Sequence, residues 1–97
     1  MSHKNIEKNP AGFLKTFCCK AEAILNQASK LGYPYSRPER RELTLEELFK
    51  DSTRLLHLLT ICREWCTRKY DLETDDSYIA IINKIDYLAK RYGNGVF

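Results

Sequence analysis

LTLEELFKDSTRLLHLLTICREWCTRKY (residues 43–70) is the stretch that decides the fold. Its first six residues specify a helix start twice. Thr44 at the N-cap and Glu47 three residues on form a capping box, in which each side chain satisfies the other residue's backbone N–H. Leu43 before the cap and Leu48 at the fourth helical position form a hydrophobic staple. The spacing predicts a helix over residues 45–70, about 39 Å long. Glu46, Glu47 and Asp51 near its start and Arg63, Arg68 and Lys69 near its end suit the helix dipole.

On a helical wheel this segment carries more apolar surface than one stripe. Leu48, Phe49, Leu55, Leu56, Leu59, Cys62, Cys66 and Tyr70 share one broad face. Leu58, Ile61 and Trp65 share a second stripe, with Arg54, His57 and Arg68 beside it. A helix with two apolar faces packs against two neighbours, or against one neighbour and a partner molecule. Tryptophan beside arginine is the composition of an interface hot spot.

Outward from this helix, two more are expected. Asn9-Pro10 reads as an N-cap followed by proline at the first helical position, where its missing N–H costs nothing. Phe13, Leu14, Phe17, Cys18, Ala21, Ile24, Leu25, Ala28 and Leu31 then fall within roughly 140° of arc. Gly32 is a natural stop, and Pro34 blocks continuation. The first helix is expected over residues 10–31, after a frayed polar start at 1–9. The third is expected over residues 75–92, opened by Thr74-Asp75-Asp76-Ser77 and closed by Gly93. Its core stripe is Tyr78, Ile81, Ile82, Ile85, Leu88, Ala89 and Tyr92. The linker at 33–42 contains two prolines and exceeds the usual two to eight residues between bundle helices, so helices one and two need not be tight neighbours. The fold class is all-α: one domain over 1–97, an antiparallel three-helix bundle. A turn of helix in 2–9 would make it four-helix, and a second copy could complete it as a homodimer through an overhang of the long helix.

Composition bounds the function. Ninety-seven residues, 43% apolar and 30% charged, fit one globular domain with a real core and little room for an elaborate cleft. The net charge of +3 is mild. Residues 1–32 carry five lysines against two glutamates, whereas the long helix is close to neutral. No apolar run approaches the ~18 residues of a membrane span, and Met1-Ser2-His3-Lys4-Asn5 leads into no signal-peptide core. A cytoplasmic location is expected, with Cys18, Cys19, Cys62 and Cys66 as free thiols.

Cys62 and Cys66 lie four apart on one face, a spacing that lets two thiolates share a metal, but only Cys18 or His57 could extend the set. Buried cysteine acting as a small apolar residue is the ordinary case, so no metal and no cofactor is expected. Cys19 falls off the apolar face and reads as an exposed thiol. A Cys–His nucleophile pair would need a third group to orient His57, and none is evident. Glu73, Asp75 and Asp76 lack calcium-loop spacing and suit a helix N-terminus. Neither an enzyme nor a small-molecule substrate is indicated.

The expectation is a non-enzymatic, regulatory interaction protein. It would bind a protein partner or itself through the long helix, with Leu58, Ile61, Trp65, Arg68 and Arg54 as the contact group. The alternative is a nucleic-acid-binding module using Lys15, Lys20, Arg37, Arg40 and Arg41, with Tyr33 and Tyr35 interleaved to stack bases. Glu39 and Glu42 dilute that cluster, and the turn of a helix-turn-helix is absent.

Tyr92-Gly93-Asn94-Gly95-Val96 is similar to the YGNGV box of pediocin-like bacteriocin peptides, over five residues. In that family the box lies near the N-terminus beside a cysteine pair. Here it follows a helix and lacks the pair, and Gly-Asn-Gly reads as a helix stop. The immunity proteins that partner those peptides are small helix bundles, which this chain resembles in size and class. An immunity-type protein that neutralises a toxin or bacteriocin is the alternative this resemblance implies.

Overall fold

The computed structural model describes residues 10–36, 38–39 and 42–96. The expected frayed start, the Asn9 cap and the four-helix variant fall outside them, as does Phe97. Among the described residues the chain is all-α, with α1 (Pro10–Ser29), α2 (Leu45–Glu73) and α3 (Asp76–Val96), each packed on the other two.

α2 starts as its sequence dictates. The Thr44 N–H donates to Glu47 Oε1 at 2.9 Å, and the Glu47 N–H donates to Thr44 Oγ1 at 3.2 Å. At 29 residues it is about 43 Å long, and it sets the 44 Å long dimension of the molecule. It ends at Thr74, whose φ of 51° is left-handed and whose N–H donates to the Tyr70 carbonyl at 2.7 Å. Asp75 then opens α3, its carboxylate accepting from the Ser77 N–H at 2.9 Å. That backbone hydrogen bond holds the Asp75 carboxyl below its usual pKa. Two residues therefore reverse the chain, and α2 and α3 are antiparallel neighbours. Arg63 fixes their register with a fork onto Asp86 at 2.7 and 3.1 Å.

The direction of α1 follows from its contacts. Near its start, Phe13 and Phe17 pack on Tyr92 at the far end of α3, with ring centroids 5.1 and 6.0 Å apart. Near its end, Lys84 donates to Gln27 at 2.7 Å, so α1 is antiparallel to α3. Against α2 the order is the opposite one. Cys18 lies 3.4 Å from Ser52, and Tyr33, just past the end of α1, lies against Trp65. α1 and α2 therefore run side by side in the same direction.

The length of the linker leaves open whether α1 and α2 are neighbours, and the two are in direct contact. The linker is long because it must carry the chain back down the bundle. From Trp65 to Leu45 is about 30 Å of helix. A chain of nine residues can span at most about 30 Å. Prolines at 34 and 38 suit an extended return.

The predicted apolar faces of α1 and α3 form the core. Phe17, Ala21, Leu25 and Ala28 meet Leu55, Leu59, Cys62 and Cys66 of α2, and Tyr78, Ile81, Ile85, Leu88 and Tyr92 of α3. Ser52 is the buried polar exception among the described residues, with its hydroxyl on the Cys18 thiol. Two expectations fail at the ends. α3 does not stop at Gly93 but continues to Val96, since a glycine that need not turn left-handed costs only about 1 kcal/mol inside a helix. Phe49, placed on the core face from the wheel, is 45% exposed, and Leu45 is 43% exposed. The Arg63–Asp86 register brings the end of α3 level with about residue 53, so the first turns of α2 project beyond it.

Thr44→Ala removes the Oγ1 acceptor of the Glu47 N–H while leaving the residue 44 backbone N–H to Glu47, and should destabilise the fold by about 1 kcal/mol, read as a lower urea midpoint with an unchanged m-value.

Candidate interaction surface

Trp65 sits where α1 has ended and something else must cover α2. That cover is the segment just after α1. Gly32 takes φ 112°, a left-handed conformation open to glycine, and the following Tyr33 N–H returns to the Ala28 carbonyl at 3.2 Å. This turn delivers the Tyr33 ring edge-on to Trp65, with centroids 5.3 Å apart. Tyr78 of α3 meets the same indole at 5.7 Å, also edge-on. Each T-shaped pair contributes about 0.5–1.5 kcal/mol beyond area burial. Tyr33 is buried, and burial raises its phenol pKa. Trp65 itself stays half-buried, with Lys69 Nζ 5.7 Å from its ring centroid.

The rest of the second stripe divides. Leu58 is half-buried and packs against the core. Ile61, four residues before Trp65, is 40% exposed. Arg68 is exposed. Arg54 is exposed too, but its guanidinium is engaged by Asp51 of its own helix at 2.8 and 3.2 Å. The stripe does not stop at Arg68. Because α2 runs to Glu73, Leu72 falls on the same line and is 81% exposed. The spacing 58, 61, 65, 68, 72 carries the helical signal for Leu72, but a helix ended at Tyr70 leaves that residue out.

The thiols sort by burial. Cys18, Cys62 and Cys66 are buried and Cys19 is exposed. Burial pushes the Cys18 thiol up to about 11, only partly offset by its hydrogen bond with Ser52. Burial and the neighbouring Cys66 push Cys62 up to about 12, and burial raises Cys66 as well. The free thiolate needed for nucleophilic attack is therefore disfavoured at all three. Among the described residues no three His, Cys, Asp or Glu side chains gather into a metal-binding group. His57 lies exposed on α2, and Cys18 meets Ser52 instead.

Of the basic residues that would contact nucleic acid, Lys15 and Lys20 are exposed on α1. Arg37, Arg40 and Arg41 lie outside the described residues. No described helix is long and apolar enough to cross a membrane. Comparison with known proteins returns no family model, no curated protein and no solved structure that matches the chain.

In native buffer an alkylating reagent should label Cys19 alone, with the other three thiols reacting only in denaturant, as mass spectrometry can count. Linkage gives a second expectation. The folded state holds the Cys18 and Cys62 protons up to about 11 and about 12, while the unfolded chain releases them from 9.0. Their stabilising contribution is complete below pH 9 and declines as pH rises through that interval, so the urea midpoint should fall there.

Proposed function

We propose that this protein is a non-enzymatic interaction protein that binds a protein partner, or another copy of itself, through the outer edge of α2. The contact group is Leu58, Ile61, Trp65 and Arg68, flanked by Arg54 and extended by Leu72. The observation that carries this reading is the state of Trp65. Its inner edges are fixed by Tyr33 and Tyr78, yet the residue stays half-buried between the exposed Ile61 and Leu72. An aromatic side chain already locked by packing loses little freedom on binding, which is what an anchor residue needs. Arg68 supplies a charged neighbour of the type enriched at such sites. The protonated, buried thiols support a non-catalytic role.

The packing changes which variant is informative. Trp65→Ala removes contacts to two tyrosines and should cost about 2–3 kcal/mol of stability, below the full-burial range because the residue is only half-buried. Ile61→Asp touches an exposed position and should leave the unfolding free energy within about 0.5 kcal/mol of the parent. A photo-crosslinking residue at position 61 should give a discrete adduct in native lysate, and one at the exposed position 53 should not. Adducts in equal yield from both positions, or from neither, would count against the α2 edge as a binding surface.

A further inference from the structure

Between α1 and α3 lies a groove of about 370 Å³. Its floor is Ala23, Ile24 and Leu88, and its rims carry Lys20, Lys84 and the exposed Tyr87. None of the lining residues is acidic. Glu22 of α1 lies instead on the α2 side, near enough to Cys18 to act on its thiol. Lys84 is held in place by its hydrogen bond to Gln27. The groove therefore presents an apolar floor under a positive rim.

The same chain carries the matching shape. Leu72, the most exposed large apolar residue described, projects from the last turn of α2. Around it, residues 68–76 carry Asp71, Glu73, Asp75 and Asp76 against Arg68 and Lys69, a net charge of −2. Glu73 is partly engaged by Lys69 and Tyr78, and Asp75 caps α3, so Asp71 and Asp76 supply most of the outward charge. An apolar tip in an acidic collar is the complement of an apolar floor with two lysines on its rim.

We infer that the α1–α3 groove receives the Leu72 turn of a second copy of this chain. This rests on the proposed role of the α2 edge and names what that edge meets. Knob and groove are different surfaces, so the contact is heterologous. Each copy offers a free groove and a free knob after pairing, and association continues head to tail instead of closing as a two-fold dimer. The contact is small and charge-assisted, so it is concentration-dependent and weakens with salt.

Complementation of two single variants tests this, with reductant present so that Cys19 cannot link chains. Leu72→Asp spoils the knob and leaves the groove. Ala23→Glu, at an exposed groove position, spoils the groove and leaves the knob. Sedimentation velocity should show parent protein whose mean mass rises with concentration and falls with salt. Each variant alone should stay monomeric, and an equimolar mixture should form a 1:1 dimer and nothing larger. A parent that remains monomeric into the millimolar range overturns the inference, as does a mixture that fails to pair. If Ala23→Glu still associates while Leu72→Asp and Ile61→Asp do not, the α2 edge stands as a binding surface and the groove is eliminated as its receptor.

Discussion

The packing of Trp65 between Tyr33 and Tyr78 is the constraint on which the rest of the structure depends. α1 stops nine residues after Lys20, well short of the end of α2, and the last third of α2 would otherwise lie bare on that side. The left-handed turn at Gly32 lets the chain fold back at once and place Tyr33 on the indole. From that point the chain can reach the start of α2 only by running back along the bundle. The parallel direction of α1 and α2 and the length and prolines of the linker are all consistent with that aromatic contact.

The same contact shapes the surface. Tyr33 covers the inner edge of Trp65, while Ile61 and Leu72 on either side of it along the helix stay exposed. α2 thus overhangs both partners, but the two overhangs differ. At its N-terminal end Leu45 and Phe49 pass beyond the end of α3, and at its C-terminal end the linker segment substitutes for α1. Both overhangs carry acidic side chains, Glu46 and Glu47 at the first and Asp71 and Asp76 at the second, and the second also holds Leu72, the most exposed large apolar residue described.

Much of this was legible in the sequence, and the parts that were not share a cause. The capping box at Thr44 and Glu47 is local chemistry, and both its hydrogen bonds form as read. The apolar faces of α1 and α3 are periodic, and Phe17, Ala21, Leu25, Ile81, Ile85 and Leu88 are buried as the period requires. The same reasoning separated Cys19 from the buried Cys18, Cys62 and Cys66. Register between helices is not local. A wheel cannot show that α3 ends short of Phe49, nor that α1 runs parallel to α2, because both depend on which residues meet across the core. Tyr33 reads as linker from its proline neighbours, and only its long-range contact with Trp65 identifies it as core. Leu72 lies beyond a helix ended at Tyr70, although its spacing from Trp65 and Arg68 is regular, and the structure carries α2 on to Glu73.

The arrangement around Trp65 is open to direct observation by nuclear Overhauser contacts from its indole ring. This structure predicts cross-peaks from Trp65 to the rings of both Tyr33 and Tyr78, and none from Tyr33 to Leu45. Contacts from Tyr33 to Leu45, with none to Trp65, would mean that α1 runs against α2 and that the second stripe of the long helix is covered by something else.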